Sequence, residues 1–142
     1  MAMSGHSGAD LVLLDHTAGV LLAADLVFYQ RAPTTPHTPG LDVWREELRE
    51  LEALDFRYLV PGHGPVVEGT VPFEQMHDYL GWLDDTLREA ARQGLTASEV
   101  MALPIPERFD EIAVARHELI RSVSHLYGRY EREALALISE GG

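Results

Sequence analysis

The chain has 142 residues, of which 46% are hydrophobic, enough length and apolar content for a single domain, 1–142, with one core. Its 23 acidic residues against 11 basic ones give a formal charge of -12, a field that repels nucleic acid and anionic membrane surfaces, so neither is expected as a partner. With no cysteine there is no disulfide framework and no thiolate metal site; any metal must be held by histidine and carboxylate.

No run of about twenty apolar residues occurs, and Met1-Ala2-Met3-Ser4-Gly5 lacks the basic segment and apolar core of a signal peptide. The expectation is a soluble chain of undetermined compartment. The opening runs straight into motif-like sequence and reads equally well as an internal or engineered start and as a natural terminus.

Leu11-Val12-Leu13-Leu14 is a short apolar run, Asp15-His16-Thr17-Ala18-Gly19 supplies turn chemistry, and Val20-Leu21-Leu22-Ala23-Ala24 resumes the run. This predicts two strands joined by a tight turn. Both runs are continuously apolar, which suits strands covered on both faces. Residues 30–40 carry three prolines with threonines and His37, so an irregular loop is expected there.

Leu41, Trp44, Leu48, Leu51 and Leu54 recur at three- and four-residue spacing between charged positions, the pattern of an amphipathic helix. Arg57-Tyr58-Leu59-Val60 is strand-like and stops at Pro61-Gly62-His63-Gly64-Pro65, where proline and glycine force a turn. Phe73, Met76, Leu80, Leu83 and Leu87 form the stripe of a second helix that closes near Gly94. Thr96 with Glu99 predicts a capping box for a short helix stopped by Pro104. A last helix is expected over about residues 114–137, with Leu119, Val123, Leu126 and Tyr130 inward.

Three polar residues stand where binding groups are displayed: His6 and His63 in glycine-rich turns, and Asp25 closing an apolar strand. An ionised carboxylate there needs a partner, and a metal, backbone amides or Arg31 would each serve. The plain alternatives are solvent-exposed turn histidines and a turn-capping aspartate. His37 reads as a loop residue or a pocket contact. His16 belongs to the hairpin turn, and His77, His117 and His125 flank helical stripes as structural histidines.

Ser4-Gly5-His6-Ser7-Gly8-Ala9-Asp10, Ala24-Asp25-Leu26-Val27-Phe28 and Val60-Pro61-Gly62-His63-Gly64-Pro65, in this order and spacing, resemble the later motifs of the metallo-β-lactamase superfamily. The resemblance covers residues 4–68. It implies an α/β fold, half of an αββα sandwich: a sheet-forming part over 4–68, followed by a helical tail over 70–142. It also implies that His6 corresponds to the third ligand of the first metal site, Asp25 to the bridging carboxylate and His63 to the last ligand of the second site. In a complete member two metals about 3.5 to 4 Å apart share a hydroxide that attacks a carbonyl or ester.

Two departures qualify the match. Ala24 stands where the family usually has glycine, and no His-x-His-x-Asp-His motif, the source of the other ligands, occurs in the chain. The resemblance therefore implies a zinc-dependent hydrolase whose C-terminal portion is expected to bind zinc weakly or not at all alone and to be inactive alone. Its completing partner would be the missing N-terminal half, and its substrate, once complete, a small molecule. The alternative is a non-catalytic, self-associating structural module, most simply a homodimer paired sheet to sheet. Pro33-Thr34-Thr35-Pro36-His37, Tyr79-Leu80-Gly81-Trp82-Leu83, Met101-Ala102-Leu103-Pro104 and Phe109 are similar to the zinc metallohydrolases of quinoprotein relay systems.

Overall fold

The computed structural model describes residues 1–141. A two-stranded antiparallel ribbon, β1 (Ala2–Met3) and β2 (Asp10–Leu11), brackets the His6 turn. A four-stranded sheet follows in spatial order β3-β4-β5-β6, built from Leu13–Asp15, Val20–Phe28, Tyr58–His63 and Val67–Glu68. The expected hairpin is β3 with β4, antiparallel, with Leu13 opposite Leu22. Its first run differs from expectation: Leu11 and Leu13 lie in separate strands, because the chain passes from the ribbon to the sheet at the buried Val12.

Helix α1 (Leu41–Glu52) connects β4 to β5, which run parallel with Val20 beside Tyr58 and Leu22 beside Val60. A parallel pair needs a crossover of this kind, and it brings the C-terminal ends of β4 and β5 to the same end of the sheet. The predicted stripe is the buried face of α1: Leu41, Trp44, Leu48 and Leu51. Helix α2 (Val71–Arg92) is longer at its start than the stripe suggested, since Pro72 is accepted in the first turn, where no intrahelical N–H bond is lost.

The Thr96/Glu99 capping box forms as expected and opens α3 (Ala97–Met101). A 3₁₀ turn at Glu107–Phe109 precedes α4 (Ala115–Gly141), which buries Leu119, Val123, Leu126 and Tyr130. One hydrophobic cluster joins β4, α1, α2 and α4, with Trp44, Tyr79, Phe28, Phe73 and Tyr127 among its largest members.

The expectation of strands covered on both faces is corrected. Helices α1 and α2 pack on one side of β4, where Leu21 and Ala23 are completely buried. On the other side Leu22 is 38% exposed and its cross-strand neighbour Leu13 is 60% exposed. Leu13 and Leu22 are apolar, as the continuous runs indicated, yet both remain exposed.

Candidate metal centre

Asp25 was expected to end its strand, and β4 instead continues three residues further, to Phe28. The pairing of β4 with β5 is irregular between Leu22 and Ala24 and again between Ala24 and Phe28. Ala24 lies in the left-handed region, φ 47°, so the chain is wound locally and Asp25 is turned out of the regular pleat. Its neighbour on β5 is Gly62, where a Cβ would overlap Asp25 Oδ1 and the Ala24 carbonyl; glycine is what lets the two strands close here.

His63 is the last residue of β5 and pairs with Phe28. Its Nε2 lies 3.4 Å from Asp25 Oδ1, with both side chains nearly half exposed. The imidazole stacks on the Phe28 ring, with centroids 4.6 Å apart and planes inclined by 14°. His6 approaches the same phenylalanine from the ribbon, at a centroid distance of 5.9 Å, and meets the Trp44 indole edge-on at 5.5 Å. Both imidazoles therefore neighbour Phe28, which packs against Trp44, whose indole N–H donates to the Leu26 carbonyl at 2.9 Å.

The His6 turn is knotted by Asp10. The Asp10 carboxylate accepts from the amides of His6 and Ser7 and from the Ser7 hydroxyl, and lies 3.5 Å from His6 Nδ1. Burial pushes the Asp10 carboxyl up, yet the hydrogen bonds from Ser7 and His6, with the His6 ring nearby, outweigh it and hold the group below its ordinary value. An ionised Asp10 against Nδ1 favours the tautomer with its proton there and leaves Nε2 as the lone-pair nitrogen, as carboxylate–histidine–metal arrangements require.

His37, the possible pocket residue, is exposed in the 30–40 loop. Its neighbour Thr38 is the buried one: the Thr38 hydroxyl donates a short hydrogen bond to the Gly5 carbonyl. The loop is anchored by α4, through a Thr35–Ser122 hydroxyl bond at 2.6 Å and through Arg129 donating to the carbonyls of Thr38 and Pro39.

The donor chemistry of His6, Asp25 and His63 suits zinc, but the three do not form a closed site. Among the described residues no group of three or more histidine, cysteine, aspartate or glutamate side chains is gathered to hold an ion. Asp25 and His63 are close to each other, and His6 shares the Phe28 ring with His63 as a neighbour. Sequence reasoning singled out these three and not the residues around them, Asp10, Thr38 and Phe28. Asp10, four residues after His6, carried a local signal; Thr38 carried none.

Comparisons with known proteins bear on the fold that carries these residues. The sequence model of the metallo-beta-lactamase superfamily matches residues 1–63, ending at His63. No curated protein matches. A beta-lactamase domain protein from Burkholderia ambifaria superposes with a TM-score of 0.60 at 20% identity, over 94% of this chain and 42% of that one. A metallo-beta-lactamase family protein from Thermus thermophilus gives 0.58 at 20% identity, over 93% and 43%. TMB-1 gives 0.50 at 16% identity, over 58% and 39%. The chain thus has the α/β fold of the metallo-β-lactamase superfamily, and the likeness drawn from its motifs holds. It spans about two fifths of the length of those solved structures.

Proposed function

We propose that this chain contributes His6, Asp25 and His63 to the centre of a metal-dependent hydrolase of the metallo-β-lactamase type, and that the remaining ligands come from polypeptide outside it. The observation that carries the reading is the pairing of Asp25 with His63, 3.4 Å apart on adjacent parallel strands, with His6 delivered to the same phenylalanine by a carboxylate-held turn. In a complete centre zinc lowers the pKa of bound water and polarises the substrate carbonyl. This chain's own part is to hold two imidazoles and a carboxylate at one end of the sheet. Alone it has too few ligands, so weak zinc binding and no turnover are expected.

The test is zinc content by elemental analysis after purification in limiting metal, together with ester and lactam hydrolysis by the isolated chain. Stoichiometric zinc and clear turnover from a monomer would overturn the proposal. Substoichiometric zinc that rises on adding a polypeptide carrying His-x-His-x-Asp-His supports it.

The second reading is a self-associating structural module, and the exposed apolar row Leu13–Leu22 favours it. The two readings share one expectation, that another sheet covers this face. The assignment to the quinoprotein relay group is a finer proposal. Tyr79, Trp82 and Phe109, from separate parts of that pattern, meet with ring centroids 5.4 to 5.5 Å apart, so those short patterns have a common packing cause.

A further inference from the structure

The Ser4-Gly5 peptide that precedes His6 is gripped from two sides by residues distant in sequence. On one side the Glu47 carboxylate, presented by α1, accepts from the Ser4 amide at 2.9 and 3.0 Å, from the Ser4 hydroxyl at 2.8 Å and from the Gly5 amide at 2.6 Å. On the other the Thr38 hydroxyl donates to the Gly5 carbonyl. Gly5 is pressed so closely onto α1 that a Cβ there would lie 2.7 Å from Trp44 Cα and 2.9 Å from Glu47 Oε2. A carboxylate receiving several N–H and O–H donors at once is a strong, directional anchor.

We propose that Glu47 is a positioning residue for His6: its carboxylate fixes the peptide before the histidine and thereby sets the imidazole against Trp44 and Phe28. One helix then carries both the anchor, Glu47, and the indole, Trp44, against which the ring is placed. Because they are three residues apart on α1, they share a face and move together. Asp10 and Glu47 have separate tasks. Asp10 closes the turn after His6 and faces Nδ1, whereas Glu47 docks the whole turn onto the body of the protein. The importance of this placement for metal binding rests on the proposed function; the placement itself does not.

The test is therefore free of metal. In isotopically labelled protein, nuclear Overhauser contacts from the His6 ring to Trp44 and Phe28 are measured for the wild type, Glu47→Ala, Glu47→Gln and a control, Glu46→Ala, whose side chain is exposed and pairs with Arg49. Glu47→Ala is expected to lose the His6 contacts while the His63–Phe28 contact and the amide pattern of α1 persist. Glu47→Gln keeps length and packing but faces its NH₂ to N–H donors, and should weaken the His6 contacts by about twofold or more. Glu46→Ala should change neither. The proposal is overturned if the His6 contacts survive in both Glu47 variants, or if they vanish only together with the His63–Phe28 contact, which would make Glu47 a general support. A failure of zinc binding in the earlier experiment leaves this result readable, so the two ideas fail separately.

Discussion

Ala24 illustrates how a single residue can be forced by its neighbours. A left-handed backbone costs an L-residue with a Cβ about 1–2 kcal/mol, yet the turn of the chain that presents Asp25 demands it at φ 47°. The Ala24 side chain is exposed and contributes little packing. Glycine would remove the strain but lose about 0.5–1 kcal/mol through its freer unfolded chain. Ala24→Gly should therefore be slightly stabilising, by about 0.5 kcal/mol, measured by urea denaturation. A loss of more than about 1 kcal/mol would show that the methyl group is packed in a way its exposure conceals.

The tail helix α4 does two kinds of work at the scale of elements: it completes the core against α2 and it fastens the 30–40 loop. Glu118, completely buried, receives Arg121 at 3.0 Å and Arg31 at 3.5 Å on Oε1, while Oε2 has no hydrogen-bond partner. Both arginines are partly solvent-exposed, so truncation strands no buried cation; the cost is lost packing and a released loop. Glu118→Ala should destabilise by about 2 kcal/mol and speed proteolysis within residues 30–40, and unchanged protection of that loop would refute the fastening role.

Tyr79 on α2 is buried with an unpartnered hydroxyl, and burial together with the nearby Glu118 pushes that hydroxyl above its ordinary value of 10.0. Tyr130 on α4 is raised by burial and by its bond to Asp84. Raised folded values favour the protonated rings, so these contributions are complete below about pH 10 and are lost as the pH rises beyond it. Stability from urea titrations should fall above that pH, and Tyr79→Phe should lessen the slope. Since Tyr79 makes no hydrogen bond, Tyr79→Phe should also leave neutral-pH stability unchanged or raise it, by up to about 1 kcal/mol. A loss larger than that would reveal a partner for the hydroxyl.

Across the whole molecule the dominant feature is the sheet face that α1 and α2 do not cover. Leu13 and Leu22 sit opposite each other on it, with Val60 the next neighbour in the row. A contiguous apolar surface of this kind is normally covered in a stable protein. Sedimentation at tens of micromolar should show self-association, and Leu13→Ser with Leu22→Ser should shift the population towards monomer. A wild-type chain that stays monomeric and well behaved at that concentration would sink the prediction. No helix among the described residues is long and apolar enough to cross a membrane.

How much of this was legible depends on the range of the interaction. The four helices, the Thr96/Glu99 cap and the β3–β4 hairpin follow from periodicity and turn chemistry, which act over a few residues. His6, Asp25 and His63 were singled out by their motifs, and Phe28 and Trp44 were visible as apolar residues but not as neighbours of the imidazoles. The parallel pairing of β4 with β5, the break at Val12 and the open face of the sheet were not legible. A continuous apolar run does not reveal which of its two faces is covered within the same chain.

The sequence by itself determined which segments are helical, where the turns fall and which side chains could donate to a metal, because propensity, periodicity and residue chemistry are properties of neighbours along the chain. Only the tertiary structure decided that Asp25 and His63 meet, that Glu47 and Thr38 grip the peptide before His6, and that one face of the sheet stays bare. Those outcomes depend on contacts between residues tens of positions apart, and such contacts exist only once the strands have found their register and the helices their faces.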